Sequence, residues 1–147
     1  MAPPIERLAS ASLRIFGDGV NFAEISGRLA LLPTHTHLKG EKRLGTQVYS
    51  HDMWLFEVPL DRKRRMDDHV AALWERIAWQ ADYLRELKGR LTVDVYLSYY
   101  SNWPDGGVLV SPKNLEMYQV LEIPFQLSIV VSGEANRGDT VETKGEN

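Results

Sequence analysis

The chain has no cysteine. Disulfides and thiolate chemistry are excluded, and any zinc site would have to be built from histidine and carboxylate. No uncharged apolar run approaches the roughly 20 residues that a bilayer-spanning helix needs. Charge of one sign is not in excess either. Seventeen Lys and Arg against twenty Asp and Glu leave a net charge of −3, so nothing pulls the chain globally toward nucleic acid or an acidic membrane. Met1 to Arg7 lacks the basic region and apolar core of a secretory signal. These absences lead us to expect a cytoplasmic protein without membrane association. Nucleophile triad spacing, the helical metalloprotease motif and the dinucleotide fingerprint are also missing. We therefore assign no catalytic residue, no cofactor and no metal, and the balance is against an enzyme.

What is present suffices for one domain. At 147 residues, 44% hydrophobic and 25% charged, the composition is that of an ordinary globular unit with a real core. The clearest pattern is at 91–100. Leu91, Val93, Val95, Leu97 and Tyr99 alternate with Thr92, Asp94, Tyr96, Ser98 and Tyr100. That period of two predicts a strand with one buried face.

The other elements follow from similar signals. Residues 1–9 read as a flexible leader. Ala11, Leu13 and Ile15 alternate with Ser12, Arg14 and Phe16 in a first strand that Gly17-Asp18-Gly19 ends. Asn21 is positioned to cap a helix, with Glu24 in the reciprocal position. Phe22, Ile25, Leu29 and Leu32 form its stripe, and Pro33 stops it. Residues 34–52 read as a long loop with a short strand near 47–50. Trp54, Phe56 and Val58 share one face of a second strand. Val70, Leu73, Trp74, Ile77, Ala81, Leu84 and Leu87 recur at helical steps, which predicts one long helix that opens on Asp67 and Asp68 and closes on Gly89. Trp79 and Tyr83 fall off that stripe. After Asn102 to Gly107 a turn is expected, then a short strand at Val108 to Val110 pairing back as a hairpin. Ser111-Pro112 opens a last helix, with Leu115, Tyr118 and Leu121 inside and Met117 beside them. Phe125, Leu127, Ile129 and Val131 make the last strand. Residues 132–147 are polar and read as a flexible tail.

This order predicts an α+β fold: a ferredoxin-like two-layer sandwich with a largely antiparallel sheet and helices on one face. Two pseudo-related halves, joined by the long helix, would share the sheet. The domain is expected to span residues 10–131.

The candidate sites are few. Asp94, Tyr96, Ser98 and Tyr100 fall on the polar side of their strand, with Trp103 at the rim. If helices cover the other side, these five residues form an open binding surface for a protein or small ligand, joined by Leu55, Glu57 and Ser128 or Gln126. The alternative is an ordinary half-wet sheet. His35 and His37, two apart, would point the same way in an extended segment and lack only a third metal ligand, His51 or Asp52. They read better as two loop histidines near a helix end. Gly40 to Gly45 has the glycine spacing of a phosphate loop, but Thr46 stands where the lysine is required. Arg62 to Arg65 could contact phosphates. Asp61, Asp67 and Asp68 flank the run and partly cancel its field, so it reads better as a solvated connector and nucleic acid is not an expected partner.

Several of these pieces resemble a bacterial family, domain of unknown function 4279. They are Ser12-Leu13-Arg14-Ile15-Phe16-Gly17, then Ile25-Ser26-Gly27-Arg28-Leu29 leading to Leu32-Pro33-Thr34. Lys39-Gly40, Trp54 and the stretch from Val108 to Leu121 continue the likeness. Small proteins of this type are similar to immunity proteins encoded near bacterial toxins. The resemblance implies a binding role with a protein partner such as a toxin, and no enzymatic activity comes with it. The alternative is a ligand- or metal-binding protein, or an enzyme, that uses the 34–52 loop.

Overall fold

The computed structural model describes residues 4–133. The expected polar tail, from residue 134 onward, lies outside the described residues. Five strands form one sheet: β1 (Arg7–Gly17), β2 (His35–His37), β3 (Asp52–Glu57), β4 (Thr92–Ser101) and β5 (Leu127–Val131). Their order across the sheet is β2-β3-β1-β4-β5. All pairs are antiparallel except β4 with β5, which run parallel on either side of a helix. The architecture is α+β, as the element order predicts. β1 starts at Arg7, opposite Ser101 of β4, so the expected leader loses residues 7–9 to the sheet.

Helices α1 (Phe22–Leu29), α2 (Met66–Ile77), α3 (Ala81–Leu87) and α4 (Pro112–Leu121) pack on one face of this sheet. Strand alternation explains why. Ala11, Leu13 and Ile15 of β1, Trp54 and Phe56 of β3, and Val93, Val95 and Leu97 of β4 face the helices and are buried. The stripe residues Val70, Leu73, Ile77, Leu84 and Leu87 meet them and are buried as well. Asn21 caps α1 through its side chain, which accepts from the Glu24 N–H at 3.1 Å. The buried Trp54 indole donates to the Ser26 hydroxyl at 3.0 Å and ties β3 to α1.

Six expectations need correction. The long helix is two helices, because a 3-10 turn at 78–80 interrupts it. There Trp79 turns out to solvent and the Gln80 amide reaches back to the Arg28 carbonyl at 2.6 Å. Gly89 is not a left-handed cap; Lys88 closes α3, and its ammonium donates to the Leu121 carbonyl at 3.2 Å. α1 ends three residues early, where Ala30 turns left-handed at φ 55°. Leu32 is left 85% exposed as a result. Val108 to Val110 form no strand. β1 and β5 already hold both edges of β4, so no ladder is left for a hairpin partner. On α4 the inner residues are Asn114, Met117, Tyr118 and Leu121, while Leu115 faces outward. The loop at 34–52 carries its strand at 35–37, and near 47–50 only a single bridge forms, Lys42 to Val48.

Candidate functional site

β4 has two faces, and the helices take one. The other carries Asp94, Tyr96, Ser98 and Tyr100, because successive side chains on a strand alternate. Register decides their neighbours. Arg14 stands opposite Asp94, Ser12 opposite Tyr96, and Ser10 opposite Ser98. Ser128 of β5 lies beside Ser98 on the far side. From β3, Leu55 pairs with Arg14 and Glu57 with Ser12. Four of the five expected surface residues are thus brought together on a face that no helix covers. Trp103 is not with them. It lies beside Tyr99, Ile129 and Val131, which belong to the helix-facing side. The strand ends at Ser101 and the chain turns there, with the Ser101 hydroxyl donating to the Trp103 carbonyl at 2.6 Å. Alternation beyond the strand end therefore no longer tells where Trp103 points.

The centre of the face is an ion pair. The Arg14 guanidinium donates from Nε to Asp94 Oδ1 at 2.7 Å and from Nη2 to Oδ2 at 2.6 Å. It also stacks 4.6 Å above the Tyr96 ring and 5.5 Å from that of Phe16. The hydrogen bonds to Asp94 raise its pKa, against the lowering effect of burial. At the edges, Tyr100 shares a hydrogen bond with the Ser132 hydroxyl at 3.2 Å, and Glu57 holds Arg62 at 3.0 Å. The result is a pre-set arrangement of guanidinium, carboxylate and phenol rings.

Residues 38–51 fold beside this face and close a second feature, a cavity of about 400 Å³. β2 supplies His35 and His37 on one side of the strand, and their rings share a 2.9 Å contact between Nε2 and Nδ1. Tyr49 stacks flat on His37 at 3.5 Å between centroids, while His51 stacks on Phe16 at 5.0 Å. Arg14 and Arg43 complete the walls. Burial lowers the pKa of His37 first, and the neighbouring His35 lowers it further. Asp52 does not join the histidines. Its carboxylate accepts from the backbone N–H groups of Lys39 at 2.9 Å and Val20 at 3.2 Å, which hold its pKa down. Among the described residues no three metal-ligating side chains converge. Among the described residues no carboxylate lines this cavity, so its chemistry favours an anion over a cation.

Gly40 and Gly45 have positive φ, but they sit in an irregular segment knitted by Gly40 to Tyr49 and Tyr49 to Glu41 backbone bonds. No helix starts there to receive phosphates. The basic run is partly neutralised, with Arg62 on Glu57 and Arg64 and Arg65 on Asp68.

The sequence reading missed Arg14 and Tyr49. Arg14 lies in the polar phase of the first strand, which was a usable signal. Its partner across the sheet was not readable without the register.

The family described as Domain of unknown function (DUF4279) matches residues 7–132. The chain belongs to the DUF4279 family. The matched span runs from the first residue of β1 to one residue beyond β5, so the family unit is the whole sheet with its four helices. Both features of this DUF4279 member lie inside that span. No curated protein and no solved structure matches the chain.

Proposed function

We propose that this protein is a small cytoplasmic binding protein that recognises a protein partner through its open sheet face, as an immunity protein neutralising a toxin would. One observation carries the reading. The Arg14, Asp94 and Tyr96 cluster is part-desolvated and geometrically locked, yet among the described residues no helix lies over it. Tyr and Arg are the residues most enriched at the energetic centres of interfaces. Side chains already held in place lose little freedom on binding, which favours affinity.

The test starts with the untagged protein purified from its native host. A partner should co-purify at fixed stoichiometry. Calorimetry with that partner should then show Tyr96→Ala and Tyr100→Ala weakened by at least about thirty-fold, the size of a hot-spot loss, with unchanged far-UV circular dichroism. Trp103→Ala, on the opposite side, should bind as wild type. Normal binding by both tyrosine variants would mean that this face is not the interface.

The cavity beside the loop favours a second reading, a small-ligand or metal-binding protein or an enzyme using residues 34–52. Its guanidinium and imidazole walls suit a small anion best. Metal analysis without a His tag separates the branches. Sub-stoichiometric metal, with no effect of His37→Ala on the binding of a small anion, would remove this reading.

We also propose that the core is ferredoxin-like. The order β4-β1-β3-β2, with helical segments after β1 and after β3, supports a split β-α-β core to which α4 and β5 are added.

A further inference from the structure

On the helix side of the sheet, between the start of β1, the start of α2 and the 107–109 segment, lies a cavity of about 370 Å³. That is within the range of small-molecule sites, roughly 300–1,000 Å³. Its walls are apolar, formed by Ala9, Met66, Val108 and Leu109, with Tyr99. Its mouth is basic. Arg7, Lys63, Arg64 and Arg65 stand there against one carboxylate, Asp67, in a chain whose overall charge is negative.

That carboxylate is already committed. Asp67 accepts from the Ser111 N–H and from the Asn114 amide, both at 2.8 Å, and so faces α4. Arg64 and Arg65 lean on Asp68. Among the described residues Arg7 donates only to the Asp105 carbonyl, at 2.8 and 3.3 Å, and Lys63 has no ion pair. Among the described residues, two cations at the mouth are therefore uncompensated. The first turn of the twelve-residue α2 adds its free N–H groups.

Tyr99 adds a second feature to the same wall. Tyr99 is 8% exposed, and among the described residues its buried hydroxyl has no hydrogen-bond partner. A buried hydroxyl with no partner is costly, and native structures rarely keep one without a use. It rests beneath Gly106, where a Cβ would collide with it and would also press on Arg7 Nε at 3.2 Å. The absent side chain at 106 keeps the phenol and the guanidinium close together.

We propose that this cavity binds a small amphipathic anion, a carboxylate or phosphate monoester on an apolar body. The body would lie along Met66, Val108 and Leu109, and the head among Arg7, Lys63 and the start of α2. The site is on the opposite side of the sheet from the open face, so the two readings fail independently.

The test is an NMR titration of the full-length protein with octanoate, octyl phosphate, octan-1-ol and inorganic phosphate. Octanoate or octyl phosphate should give saturable shifts at residues 7–9, 63–67 and 106–109. The tighter of the two identifies the head group. Octan-1-ol should bind at least about ten-fold more weakly, and inorganic phosphate should produce no saturable shift. Lys63→Gln should weaken the charged probes by about two- to five-fold, the scale of one exposed charge. Tyr99→Phe should weaken them too, yet raise the thermal midpoint of the free protein, because it removes the unpaired hydroxyl. A structural tyrosine would not give that combination. Equal binding of octan-1-ol, phosphate binding as tight as octyl phosphate, no saturable binding of either charged probe, or unchanged affinity in both variants would each overturn the assignment.

Discussion

Arg14 and Asp94 face each other from adjacent strands and meet at two points, Nε to Oδ1 at 2.7 Å and Nη2 to Oδ2 at 2.6 Å. The pair sits on the sheet face without helices, with side-chain exposures of only 22% and 11%. It is a structural clamp between β1 and β4 and also the centre of the open face.

Removing one half of this pair leaves the other charge desolvated and alone. Arg14→Ala should therefore cost about 2–4 kcal/mol in urea unfolding, toward the range seen when buried pairs are broken. The double change Arg14→Met with Asp94→Leu removes both charges and should recover most of that loss. A double variant as unstable as the single one would show that the pair is not coupled.

Trp54 is fully buried and joins two elements through its indole N–H. Trp54→Ala should cost about 3–5 kcal/mol, as large-to-small changes of aromatic core residues do. Ser26→Ala keeps the ring but strands its N–H, and should cost about 1–3 kcal/mol. Chemical denaturation of both variants checks the split between packing and hydrogen bonding.

Two histidines make stability depend on pH in one direction. His37 and His69 both have pKa values held below 6.5, in each case chiefly by burial. Nearby acids oppose this at both sites, and the carbonyls of Asp61 and Arg64 oppose it at His69. Between the folded and unfolded pKa values the unfolded chain binds more protons. Their contribution is thus complete above about pH 6.5, the ordinary histidine value, and is lost as pH falls through the lowered folded values. Unfolding free energy measured from pH 7.5 down to pH 5 should decline. His69→Leu should flatten that decline, because a fully buried imidazole without a well-formed hydrogen bond gives way to an apolar group.

Asp67 anchors α4 to α2. Its carboxylate accepts from the Asn114 amide and the Ser111 N–H, and these bonds lower its pKa below 3.8. This stabilisation is present above about pH 4 and is lost as pH falls through the lowered value. Asp67→Ala should cost about 1–3 kcal/mol at pH 7, the scale of hydrogen bonds to a charged group. The difference from wild type should shrink as pH falls below 3.8 when melting is followed by circular dichroism.

Much of the fold was readable because local patterns report burial directly. The period of two in 91–100 and the helical steps from Val70 to Leu87 each follow from one face meeting a core. The same patterns say nothing about where a helix is interrupted. The 3-10 turn at 78–80 keeps the apolar stripe in phase enough to pass for one continuous helix. The cap of α1 at Ala30 is equally hidden, since a left-handed alanine has no sequence signature.

The sequence by itself determined which residues of each element are apolar, and hence the helix-facing side of β1, β3 and β4. It also placed Asp94, Tyr96, Ser98 and Tyr100 together, because neighbours on one face of a strand need only alternation. Only the tertiary structure decided that Arg14 meets Asp94, that Trp103 faces the other way, and that Arg7, Lys63 and Tyr99 surround one cavity. The Arg14–Asp94 pair and the cavity join residues more than thirty positions apart, and all three arrangements depend on strand register and loop closure, which no local period encodes.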